Sequence, residues 1–126
     1  MIGRNVAGAG DYRGKLLVSG TGGLSLITEK AVNGTTTRLG SASVPLTFSV
    51  TDTYSMRVRV SGTAPATVQA KVWKVGTAEP AAWQLTSTDS EPVLQKAGSV
   101  AVDAYLSSSA TVAPVKVAFD DLVVQQ

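Results

Sequence analysis

Through much of this chain apolar and polar residues alternate one by one, the spacing of a strand with one face buried. In "YSMRVRVSG" Met56, Val58 and Val60 share one parity while Arg57 and Arg59 share the other. "ATVQAKVWKV" sets Val68, Ala70 and Val72 opposite Gln69, Lys71 and Trp73. "GSVAVDAYLS" sets Val100, Val102, Ala104 and Leu106 opposite Ala101, Asp103 and Tyr105. Upstream, "DYRGKLLVS" and "LSLITEKAV" flank "GTGG", and Asn33-Gly34 is the pair a two-residue hairpin favours, because both turn positions need positive φ. "GTAPAT" at 62–67 reads as the next turn, since proline cannot donate to a ladder. Beyond it, "AAWQLTSTD" reads as a strand entered after Pro80, "SEPVLQKAG" as a loop or short turn, and "PVKVAFDDLVV" as a closing strand. A bulge at Asp120-Asp121 would reconcile the two parities of that last strand. About eight or nine strands predict one all-β domain over 1–126, an antiparallel β-sandwich or jelly roll.

The composition narrows what such a domain can do. The 126 residues include no cysteine and no histidine. Disulfides, thiolate metal sites, cysteine nucleophiles and His-based triads are thereby excluded. Eleven Lys and Arg against nine Asp and Glu give a net charge of +2 without a basic cluster, so nucleic acid is not an expected partner. No apolar run of roughly 18 residues is present to span a bilayer, and "MIGRNVAGAGDYRGK" lacks the apolar core of a secretory signal. Membrane partners are not expected, nor are cofactors. No Glu-x-Asp-x-x-Glu run offers the paired carboxylates of glycoside hydrolysis, which predicts a protein that is not an enzyme.

From Arg57 to Val124 the chain resembles the C-terminal part of concanavalin A-like jelly-roll domains, of the laminin-G-like kind found in actinobacterial secreted proteins and in actinophage virion proteins. "RVRVSG", "AKVW", "GTAEPAAW", "GSVAVDAYLS" and "FDDLVV" carry the resemblance in the family's order, and "GDYRGKLLV" extends it upstream. Family domains begin with several strands ahead of the one matching "MIGR", so the chain reads as an N-terminally truncated jelly roll. The resemblance implies a virion component, a capsid-decoration or tail protein, whose partners are further copies or other virion proteins. The alternative it implies is a carbohydrate-binding module of a secreted enzyme or adhesin, meeting a surface glycan.

Two groups of residues are candidates for those roles. Trp73, with Lys71 and Gln69 on the same parity, forms the candidate ligand surface, where an exposed indole would stack on a sugar ring. Structural packing under the 76–82 turn is the competing reading of Trp73, and Trp83 is expected in the core. Leu16, Leu17 and Val18 form a candidate assembly edge, because consecutive apolar residues without proline leave a strand poorly defended against pairing. Asp120 and Asp121 are expected to be a solvated bulge in preference to calcium ligands, and no metal site is expected.

Overall fold

The computed structural model describes residues 1–111 and 114–125. Eight strands occur among them, in two antiparallel sheets packed face to face. Strands β1 (Ile2–Val6), β2 (Gly10–Val18), β3 (Gly23–Val32), β4 (Thr35–Thr47) and β8 (Ser99–Ala101) form the larger sheet, in the order β4-β3-β2-β1-β8. Strands β5 (Tyr54–Ser61), β6 (Ala66–Lys74) and β7 (Leu85–Asp89) form the smaller one, with β6 in the middle. The fold is an all-β, antiparallel sandwich.

Turn chemistry and alternation account for most of this. Asn33 and Gly34 take φ of 50° and 79° between β3 and β4, as a two-residue hairpin requires. The inward rows are Leu24 and Leu26 on β3, Val44 on β4, and Val68, Ala70 and Val72 on β6. Met56, Val58 and Val60 on β5 close over them. The sheets approach most tightly where the larger one carries glycine. A Cβ at Gly14 would stand 2.6 Å from a Val58 methyl, and one at Gly3 2.6 Å from a Val60 methyl. Glycine at these two places lets valine side chains rest on bare backbone.

At one end the interface is polar and fully paired. Tyr12, buried in the core, donates to Asp89 Oδ2 (2.7 Å), and Lys30 Nζ reaches Asp89 Oδ1 (2.9 Å) and Glu91 Oε2 (3.0 Å). Gln95 Nε2 donates to the Tyr12 hydroxyl at 3.1 Å. Burial, and then the hydrogen bond to the Asp89 carboxylate, push the Tyr12 phenol well above its ordinary range. Asp89 lies below the usual carboxylate range, because the bonds from Tyr12, Lys30 and the Glu91 amide outweigh the cost of its burial. These bonds tie β2 and β3 to β7 and to the 3-10 turn Pro92–Leu94, which lies within the stretch expected to be a loop.

Four expectations require correction. The strand expected over 98–107 is confined to Ser99–Ala101. Ala101 lies opposite Ile2, so β8 stops where its partner β1 begins. "PVKVAFDDLVV" is not a strand: residues 114–125 lie exposed and outside any ladder, although Asp121 does take a positive φ of 52° at the expected break. Alternation reports one-sided burial, whereas a ladder also needs a partner with matching N–H and C=O groups. The strand expected from "AAWQLTSTD" begins only at Leu85, because the Gln84 side-chain oxygen, and not a β7 carbonyl, accepts the Val72 amide at 2.8 Å. Trp83 is half-buried outside the strands and does not belong to the core.

The glycine contacts give a direct test. Gly14→Ala should destabilise the domain by about 1–3 kcal/mol, the cost of overpacking, in urea denaturation followed by circular dichroism. Val58→Ala should cost less in the Gly14→Ala background than in the parent protein, since it removes the methyl groups that the new Cβ meets. Additive effects would contradict the close-approach account.

Candidate functional site

The outward face of the smaller sheet carries the candidate ligand residues and the cations around them. The register of β5 on β6 sets Arg57 beside Lys71, Arg59 beside Gln69 and Ser55 beside Trp73. Since side chains alternate along a strand, Arg57, Arg59, Gln69, Lys71 and Trp73 all stand on one face. On a solvated sheet this would be an open cationic surface with an indole at one end.

The chain covers much of it with its own loop. Residues 75–84 leave β6 through a turn in which the Thr77 amide donates to the Lys74 carbonyl at 3.1 Å. They return across the face to enter β7. Glu79 Oε1 stands 2.8 Å from Lys71 Nζ and 3.1 Å from Arg57 Nη1, and Lys71 also donates to the Pro80 carbonyl at 2.7 Å. The Trp83 ring lies 5.0 Å from the Arg59 guanidinium carbon and 5.1 Å from Lys71 Nζ, so two cations face one indole. Gln69 accepts from Arg59 Nε (2.9 Å) and donates to Thr86 Oγ1 (3.2 Å). As a result β6 is buried on both faces: Gln69 is 9% and Lys71 7% exposed, beside Val68, Ala70 and Val72 at zero.

The three residues of the candidate ligand surface therefore share a face but differ in availability. Lys71 and Gln69 are engaged by Glu79, Pro80, Arg59 and Thr86, whereas Trp73 is half-buried at the far end of the row. Glu79 went unrecognised in the sequence. Its signal was a single carboxylate in a Gly- and Pro-bounded loop directly after a strand with alternating cations. Trp83 was recognised as structural but assigned to the wrong side of the sheet. Lys71 draws Glu79 below the ordinary glutamate range by its hydrogen bond, and Arg57 adds to the effect.

The candidate assembly edge has one protected side. Leu16, Leu17 and Val18 pair with Leu26, Ser25 and Leu24 of β3. On the opposite side β1 reaches β2 only as far as Arg13, with the Gly14 amide donating to the Met1 carbonyl at 2.9 Å. Leu17 and Val18 are exposed. Asp120 and Asp121 are exposed as well: Asp120 Oδ1 accepts the Asp121 amide at 2.8 Å. Among the described residues no third carboxylate joins them in a group that could hold a metal ion.

The four outer strands are unequally defended. β4 contains Pro45 and breaks register twice against β3, β7 has five residues and β8 three. β5 runs eight residues against β6 without a register break and without proline. It is the long regular edge of the sandwich, the kind that templates pairing with another strand.

Because Glu79 is held below its ordinary range, the covering loop is stabilised above the unfolded-state glutamate pKa and loses that contribution as pH falls through the lower folded value. In a Trp73→Phe background, Trp83 fluorescence should be constant from pH 7 down to the ordinary carboxylate range and change below it. Glu79→Gln should remove that transition and show the low-pH signal at pH 7. An identical acid transition in Glu79→Gln would contradict the assigned contact.

No family model, curated protein or solved structure matches the chain. The resemblance to concanavalin A-like domains rests on the sequence elements quoted above.

Proposed function

We propose that this chain is a non-catalytic β-sandwich that acts through protein–protein assembly, in the setting of a phage virion that its sequence resemblance implies. One observation carries the reading: the smaller sheet presents a long undefended edge, β5, and the same molecule exposes an apolar segment. In that segment Phe119, Leu122, Val123 and Val124 are each more than half exposed. Apolar surface so extended is costly in water for a monomer and is the ordinary mark of an interaction site. The buried carboxylates Asp11 and Glu29 are paired with Arg13 and Lys15, and the half-buried Asp89 and Glu91 with Lys30, Asp89 also accepting from Tyr12.

A carbohydrate-binding module is the second reading, supported by the half-buried Trp73 at the end of the row. It is the weaker of the two, because Lys71 and Gln69, the polar groups beside that indole, already have partners within the chain.

Multi-angle light scattering separates the readings. The assembly reading predicts a species of at least twice the chain mass at micromolar concentration, shifting toward the monomer on dilution. It also predicts no change in Trp73 fluorescence on titration with β-glucan, xylan or peptidoglycan fragments. A monomer at all concentrations, whose Trp73 fluorescence is quenched saturably by one of these glycans, would reverse the preference.

A further inference from the structure

Resting on the assembly reading, we infer that residues 115–120 are an exchanged strand, which adds to the open edge of β5 in a second copy of this chain. Four observations meet at this edge.

The first is the segment's pattern. Val115, Val117 and Phe119 alternate with Lys116, Ala118 and Asp120, yet the segment makes no ladder, and those three apolar residues are 51%, 54% and 54% exposed. Asp121, at φ 52°, then ends the run, as a left-handed residue ends a strand.

The second is the acceptor. β5 has β6 on one side and no ladder partner on the other among the described residues. Its inward row is Met56, Val58 and Val60, its outward row Arg57 and Arg59. A strand laid beside it finds an apolar row to extend and a cationic row to match.

The third is the cleft at that edge. A cleft of about 140 Å³ opens between the sheets, lined by Gly3, Val58, Val60 and Val100 on one side and by Leu122 and Val124 on the other. The tail is already there but loosely seated, with Leu122 and Val124 still 54% and 51% exposed. Reciprocal exchange releases each tail from this seat into the neighbour's cleft, and both copies gain the same contacts.

The fourth is charge, which favours this segment over a second β5 as the partner strand. On the outward face Arg57 and Lys71 share one carboxylate, Glu79, while Arg59 is bonded to the neutral Gln69 amide oxygen. Pairing β5 with β5 of another copy would set these arginines against each other, which is unfavourable for directly opposed residues. The segment instead brings Asp120 and Asp121. Antiparallel addition with Phe119 beside Val58 and Val117 beside Val60 puts Asp120 beside Arg57. Parallel addition with Val117 beside Val58 puts Lys116 beside Arg57 and carries Asp120 past both arginines, whereas parallel addition with Val117 beside Met56 puts Asp120 beside Arg59. The antiparallel register satisfies both rows, and of these three it alone sets Val117 directly beside Val60.

The chain has no cysteine, so an engineered pair reports the contact directly. Val60→Cys with Val117→Cys should form, on mild oxidation, a disulfide-linked dimer on non-reducing gels, because directly paired residues have Cα atoms within disulfide range. Either single variant should give far less dimer. Asp120→Arg should weaken dimerisation roughly fivefold, and Asp120→Arg with Arg57→Asp should restore it. A faster-migrating monomer with an internal disulfide would overturn the inference by showing that the segment closes its own sheet. No cross-link in a protein that still scatters as an oligomer would overturn it while leaving the assembly reading intact. A monomer by scattering and by cross-linking would end both.

Discussion

A strand in the middle of a sheet must satisfy hydrogen bonds on two sides and cover two faces, and in this molecule β6 meets all four demands. β5 and β7 pair with it on either side, the larger sheet covers its inner row, and residues 75–84 cover its outer row. The remaining features of the smaller sheet follow. Lys71 can be buried because Glu79 and the Pro80 carbonyl come to it, and a buried ammonium without such partners would carry a large desolvation cost. Trp83 lies outside the core because its ring is on the other face, set against the Arg59 guanidinium and the buried Lys71 ammonium.

β5 inherits the opposite condition. Its inner row is in the core, but its outer edge lacks the devices that blunt β4, β7 and β8. A sandwich with one well-defended sheet and one undefended edge has a direction in which it can grow. On the assembly reading, the exposed apolar residues of 115–124 would supply the added strand, and the excess of cations on the outward face would favour one that carries carboxylates.

The parts of the fold legible in the sequence were those set by local rules. Alternation found β5 and β6 because both are half or wholly buried against the opposite sheet, and Asn33-Gly34 found its hairpin because few other pairs take positive φ twice. What was illegible was pairing. Val102–Leu106 alternates as cleanly as Met56–Val60, but β1 starts at Ile2, opposite Ala101, and among the described residues 102–106 have no ladder partner. β4 runs on to Thr47 through Pro45, which an outer strand tolerates, and alternation alone did not extend it that far. Of the candidate site, the parity of Gln69, Lys71 and Trp73 was readable. Their availability was not, because it depends on Glu79 and Trp83 arriving from a loop whose path no periodicity encodes.

The central claim is that β5 and the segment 115–120 satisfy each other between copies. Amide hydrogen exchange read by mass spectrometry across a concentration series tests it most directly, since a ladder slows exchange on both of its strands. Peptides covering 54–61 and 115–120 should gain protection together as concentration rises and lose it together on dilution, while β3 stays protected throughout. Exchange of 115–120 at the rate of an unstructured peptide at every concentration, with β5 unchanged, would contradict the account.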